Sequence, residues 1–143
     1  METTVGHVVT EVLIENLGDL SEVTRGVRRP EEVRRVPVRE ALVDTGATTL
    51  ALPTRIIEQL GLRKVTEKRA RSTRGVGPVS VYEAVRVTIQ DRFCTVDVME
   101  VPNDVPVLVG QFLLDLLDLV VDPQGRRLIG NPEHNGEHIL ELF

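Results

Sequence analysis

Apolar side chains recur at alternate positions along residues 79–89, where Val79, Val81, Val85, Val87 and Ile89 alternate with Ser80, Tyr82, Ala84, Arg86 and Thr88. A period of two places one row of side chains on a core and the other away from it, which is the geometry of a strand and not of a helix. Residues 63–73 precede this segment, and Arg74-Gly75-Val76-Gly77-Pro78 between them reads as the tight end of a long hairpin with Val76 at its tip. Strand patterns also run from Val5 to Glu15, Val33 to Val43 and Phe93 to Val101, and shorter ones at Leu119–Asp122, Arg126–Ile129 and Ile139–Phe143. Aromatic residues make up 3% of the chain and Trp is absent, so the core must come from Val, Leu, Ile and Ala, of which the many valines favour strands.

Two segments break the pattern. Pro53 followed by Thr54–Leu60 and then Gly61 reads as a short helix with Pro in its first turn and Gly after its last, and Gln111 to Asp118 reads as a second. Residues 16–32 read as a long polar connection. A length of 143 residues suits one core, so the expectation is a single domain over 1–143: a core of about 33–130, an N-terminal strand and loop over 1–32, and a C-terminal tail over 131–143. Its fold class is mainly β, a barrel or sandwich with one or two short helices.

Charge narrows the function classes. The formal net charge is −5, but residues 25–39 hold six arginines and residues 63–74 six Lys and Arg, while residues 97–143 carry nine acids against Arg126 and Arg127. The basic runs lack aromatic neighbours on which bases stack, so they read as solvated faces and argue against a nucleic-acid partner. A lone cysteine, Cys94, forms no internal disulfide and reads as a small buried apolar residue. The start Met1-Glu2-Thr3-Thr4-Val5 shows no leader pattern, and no apolar run reaches the ~18 residues of a membrane span; the expectation is a soluble cytoplasmic protein with no membrane partner. His134 and His138 flank Asn135-Gly136, a turn signal that keeps them off one helix face, so no metal site is expected, and His7, His134 and His138 read as structural or exposed. Asp115 and Asp118 read as the solvated edge of a helix.

The strand over 33–43 ends in the apolar run Ala41-Leu42-Val43, as a strand buried on both faces would, and stops at Asp44-Thr45-Gly46. This puts a carboxylate on a tight turn directly after a core strand, with a glycine that lets backbone amides approach it. By composition alone such an Asp-Ser/Thr-Gly tripeptide arises about 0.06 times in a chain of this kind, so context carries the rest. The context is Leu42-Val43 before it, Ala47 after it, Gly75-Val76-Gly77 some 30 residues on, and Val107-Leu108-Val109-Gly110 leading into the helix at 111–118.

In this combination, in this order from about residue 33 to about 130, the chain resembles the retropepsin-like aspartic proteases, the single-domain relatives of retroviral proteases. The resemblance implies a closed β-barrel with a flap hairpin, in which Asp44 is the catalytic carboxylate, Thr45 ties two active-site loops together across a dimer and Gly46 shapes the loop. Ala47, Gly75, Val76 and Gly77 would contact the substrate. Gln111 stands where many retroviral members carry an arginine, so the ion pair made there does not transfer.

No other aspartate precedes Ser/Thr-Gly, so one chain encodes one half-site and a homodimer is required. Peptide hydrolysis without metal or covalent intermediate needs one carboxyl to take a proton from water while another donates one to the carbonyl oxygen, and two abutting carboxyls sharing a proton do both. The expected activity is therefore that of an aspartic endopeptidase on peptides or proteins, with no cofactor. The alternative reading is a catalytically weak or inactive dimeric peptide-binding module with the same barrel.

Overall fold

The computed structural model describes residues 7–143. The alternating segment forms the longest strand, β5 (Gly75–Ile89), with Val81, Val85, Val87 and Ile89 all buried. It pairs antiparallel with β4 (Lys64–Ser72) through its first half, with β1 (Val8–Asn16) through residues 85–88, and with β6 (Arg92–Val101) along most of its length. One extra residue on β5 between Tyr82 and Val85 bends the strand where it passes from β4 to β1. Gln90 and Asp91, both at positive φ, close the β5–β6 hairpin in two residues, the backbone twist that such a hairpin needs.

The remaining strands complete a circuit. β2 (Arg35–Val43) runs antiparallel to β1 and parallel to β7 (Leu108–Val109). β7 lies antiparallel to β3 (Leu50–Pro53), and β3 parallel to β6. Strand pairings thus run β1-β2-β7-β3-β6-β5 and return to β1, with β4 outside the circuit on β5. β8 (Leu119–Asp122) and β9 (Arg127–Gly130) form a separate two-stranded sheet.

Two helices stand where expected. α2 (Thr54–Leu60) buries Ile56, Ile57 and Leu60 and ends on Gly61 at φ 65°, and α3 (Gln111–Leu117) buries Leu113, Leu114 and Leu117. Pro53 caps α2 as the last residue of β3 and lies just before its first turn. Side chains from β1, β3, β5, β6, α2 and α3 meet in one apolar cluster that includes Ile14, Leu50, Leu60, Val87, Val98 and Leu114. The fold is mainly β, as the sequence implies.

Several expectations are corrected. The segment over 16–32 is not a plain connection: α1 (Leu17–Thr24) starts on Asn16, whose side chain accepts the Asp19 amide at 3.0 Å, and a 3₁₀ turn follows at Pro30–Glu32. Three α-helices are therefore present among the described residues, one more than the sequence suggests. What stabilises α1 is polar. Asp19 is buried, takes a two-pronged contact from the Arg34 guanidinium at 2.9 Å and accepts the Arg34 amide at 3.0 Å, fastening the helix to the start of β2. β2 is less buried than its apolar end implies: Ala41 is buried, while Leu42 and Val43 are only half-buried. Residues 139–143 form no strand within the chain. The first strand begins at Val8; residues 5 and 6 of the expected strand lie outside the described residues.

Candidate active site

β2 and β7 lie side by side, with Leu42 opposite Leu108 and Val43 opposite Val109, and the Asp44 amide donates to the Val109 carbonyl at 2.9 Å. Two short apolar runs far apart in sequence thus deliver the aspartate to the end of the sheet. Beyond it the chain turns at once: the Ala47 amide donates to the Asp44 carbonyl at 2.9 Å, and the Gly46 amide to Asp44 Oδ1 at 3.0 Å. The carboxylate is aimed by its own loop, as the tripeptide suggests. A side chain on Gly46 would put Cβ 3.2 Å from that same oxygen, a tight contact that would shift the carboxylate.

The start of α3 then clamps the loop. The amides of Gly110, Gln111 and Phe112 donate to the carbonyls of Thr49, Ala47 and Thr48 at 2.9, 3.0 and 3.0 Å. Gly110 permits this approach: a Cβ there would lie 2.6 Å from both the Thr48 carbonyl carbon and the Thr49 oxygen. Asp44 is half-buried. Thr45 beside it is exposed, and its hydroxyl makes no hydrogen bond with any of the described residues.

A cavity of about 440 Å³ opens next to this loop. Gly46, Ala47 and Thr48 form one wall, Met99, Val101 and Pro102 at the end of β6 another, and the β4–β5 hairpin a third. A volume of this order suits a few side chains of a bound ligand. From the hairpin, Gly77 lines the cavity, as do Arg71 and Arg74; Gly75 and Val76 do not. The hairpin tip differs from the sequence reading. Ser72 pairs with Gly75 and Arg71 with Val76, so the turn is Thr73-Arg74, closed by the Arg74 amide on the Ser72 hydroxyl at 3.2 Å, and Val76 lies inside β5. Gly75, at φ 100°, takes the left-handed conformation that starts the return strand, so the turn sits just ahead of this glycine and not around Val76.

Arg71 and Arg74 are cavity residues that sequence reasoning passed over as part of a solvated charge run. Their signal was lost because the other run does behave in that way: Arg28, Arg29, Arg34 and Arg35 pair with Glu22, Glu32, Asp19 and Glu15. The remaining candidates lie elsewhere. Cys94 is partly buried, and loss of solvent pushes its thiol up to about 11, so it is inert as a nucleophile near neutrality. His134 is held between Asp118 Oδ2 at 2.6 Å and Glu141 Oε2 at 2.9 Å, a structural role. His138 lies 3.0 Å from the Leu116 carbonyl, and His7 is exposed.

Asp118 is not a solvated edge: it caps α3 in the left-handed conformation, is buried, and also accepts the Asn131 side chain and the Ile139 amide. Its bond with His134 leads the causes that hold its carboxyl down at about 2, and the two carboxylates in turn raise His134. Asp115 accepts the Gln111 side chain at 2.8 Å on the exposed face of α3. Among the described residues no group of three or more His, Cys, Asp or Glu is placed to hold a metal, and no helix is long and apolar enough to cross a membrane.

No curated protein shows a significant match to the chain. The family described as gag-polyprotein putative aspartyl protease matches residues 32–115, a span that begins just before β2 and reaches into α3, and so contains Asp44, the β4–β5 hairpin and Gly110. With more than half of its length matched, the chain belongs to this retropepsin-like family of aspartyl proteases.

Proposed function

We propose that the protein is an aspartic endopeptidase acting as a homodimer, with Asp44 of each subunit forming the catalytic pair. The observation that carries this reading is the loop itself. Asp44 stands at the end of a sheet with one carboxylate oxygen held by the Gly46 amide and beside an exposed Thr45; Gly46, Ala47 and Thr48 of the same loop line the cavity, which Asp44 and Thr45 themselves do not. One chain supplies one such loop, so a two-fold axis beside Thr45 completes the pair, and the Thr45 hydroxyl finds its acceptor in the partner's loop.

Two carboxyls about 3 Å apart cannot both ionise easily, so the pair holds one proton over a range of pH. The ionised member removes a proton from a water molecule, and the oxygen of that water adds to the scissile carbonyl. The protonated member gives its proton to the carbonyl oxygen, forming a tetrahedral diol. Collapse of the diol breaks the C–N bond, with a proton delivered to the leaving amine, and the pair regains its shared proton. The two carboxyls supply every proton transfer, so no cofactor enters. In this reading the β4–β5 hairpin serves as the flap, supported by Arg71, Arg74 and Gly77 lining the same cavity as Gly46 and Ala47; an extended peptide would add there as a further strand, with Ala47 and Gly77 bordering its path.

The test is cleavage of a diverse peptide pool by the wild type and by Asp44→Asn between about pH 4 and 7. A bell-shaped rate profile that disappears in Asp44→Asn is expected. A folded dimer that binds peptides without cutting them would replace the enzyme by the peptide-binding module.

A further inference from the structure

Between residues 68 and 74 the hairpin carries Lys68, Arg69, Arg71 and Arg74 and no acid, in a chain whose formal net charge is −5. At the base of the same strand the basic residues are neutralised, Arg63 by Glu83 at 3.0 Å and Lys64 by Glu67 at 2.6 Å. Beyond Glu67 the pairing stops: none of the four cations makes an ion pair with a described residue. β4 is exposed along nearly its whole length and pairs with β5 alone. Stability therefore gives no reason for this charge. Arginine and lysine there rest on no core and answer no acid within the chain.

Two of the four, Arg71 and Arg74, line the cavity that the Asp44 loop opens onto. One acid, Glu100, shares that cavity, but its two oxygens are occupied by the hydroxyls of Thr54 at 2.6 Å and Tyr82 at 3.3 Å. A ligand in the cavity therefore meets two guanidinium groups whose donors are not spent, against one carboxylate whose oxygens are each already held by a hydroxyl. Guanidinium presents paired N–H groups that match a carboxylate in plane and spacing.

We propose that the cleft selects peptide substrates that carry an Asp or Glu side chain at the position that comes to lie beneath Arg71 and Arg74. This specificity rests on the protease reading. The apolar walls from Met99, Val101 and Pro102 seat the neighbouring side chains, while the hairpin cations choose among peptides that fit equally well. Both guanidiniums are exposed, so the preference is moderate, about tenfold, and weakens as salt rises.

The probes are fluorescent decapeptides of neutral, mainly apolar sequence with one Glu placed at each position in turn, each with a Gln counterpart and a Lys counterpart. Cleavage is read with the wild type, and binding by anisotropy with Asp44→Asn. At one position the wild type should cut the Glu peptide about 10-fold faster in kcat/KM than the Gln peptide, and Asp44→Asn should bind it tighter in the same ratio. The double variant Arg71→Glu/Arg74→Glu should invert the order so that the Lys peptide leads. Arg69→Glu, at a residue that does not line the cavity, should keep the Glu preference.

Equal handling of Glu and Gln at every position, in both cleavage and binding, overturns the proposal. So does single-stranded RNA that displaces peptide from Asp44→Asn more effectively than the Glu peptides do, since the hairpin would then be a phosphate-binding surface. A wild type that cuts nothing while Asp44→Asn retains the Glu preference refutes the protease and upholds the acidic specificity.

Discussion

Gly110 donates its amide to the Thr49 carbonyl at 2.9 Å, and a methyl group on the same glycine would lie 2.6 Å from that same oxygen. The contact that holds the Asp44 loop in place is therefore also the one that excludes every side chain from position 110. Gly110→Ala must push α3 away from residues 47–49 and loosen three hydrogen bonds together. A loss of roughly 1–3 kcal/mol is expected in denaturant unfolding. Peptide cleavage should fall further than the change in folded fraction accounts for, because the displaced loop carries Asp44. An unchanged unfolding midpoint would show that the loop accommodates the methyl group.

Asp19 is 2% exposed and takes both prongs of the Arg34 guanidinium, with Arg28 at 3.3 Å. Replacing it by alanine should cost roughly 1.5–3 kcal/mol, the range of hydrogen bonds to a charged group. The Arg34 contact leads the causes that hold its carboxyl down at about 2, against 3.8 for the free side chain. A depressed pKa contributes stability that is full above the unfolded value and is lost as pH falls toward the folded one. The gap in melting temperature between wild type and Asp19→Ala should hold near pH 6 and narrow between pH 4 and 2.

His134 titrates with the opposite sign. Its pKa is raised by the bonds to Asp118 and then Glu141, so its contribution is complete below the unfolded value of 6.5 and fades as pH rises through the folded one. The partner Asp118, held at about 2, adds stability above 3.8 that disappears as pH falls toward 2. The cluster is at full strength between about pH 4 and 6.5. His134→Gln should lower the melting temperature most in that window and progressively less as pH rises above 6.5. A deficit that grows with alkalinity would contradict the assignment.

The same cluster anchors the C-terminal tail, through the Ile139 amide on Asp118 and Glu141 on His134, while Ile139, Leu140, Leu142 and Phe143 remain exposed. Apolar side chains displayed on a tethered but unpaired segment suit pairing with a second copy of the chain. Deletion of residues 139–143 should give a protein that sediments as a monomer and cleaves no peptide. A truncated protein that still sediments as a dimer would place the subunit contact elsewhere.

Local pattern was enough to mark the longer strands, because alternation at 79–89 reflects burial that a strand imposes on its own residues, whereas the short strands β3 and β7 carry too few residues to show a period and are defined by their pairing. The Asp44-Thr45-Gly46 turn was equally legible, since its key hydrogen bond spans two residues. α1 was not, although Asn16 caps it through the Asp19 amide, because Leu17, Leu20 and Val23 are only half-buried and the helix is fixed by Arg34, a residue 15 positions away from Asp19. The hairpin tip was misplaced for a related reason. Either glycine suits a turn, but the register of β4 against β5 puts the turn at Thr73-Arg74 and both glycines inside β5.

What the sequence determined by itself is the mainly β character, the two short helices at α2 and α3, and the aspartate on its turn, all set by side-chain periodicity and by the conformations that Gly and Pro allow. The tertiary structure alone decided which arginines are spent and which are not. The Arg28–Arg35 run finds acids on α1, β1 and the 3₁₀ turn, whereas Arg71 and Arg74 stand on a strand with one neighbour and face a cavity. Charge along a chain is a one-dimensional count, but its partner is chosen by proximity in space, and that proximity exists only once the strands have paired.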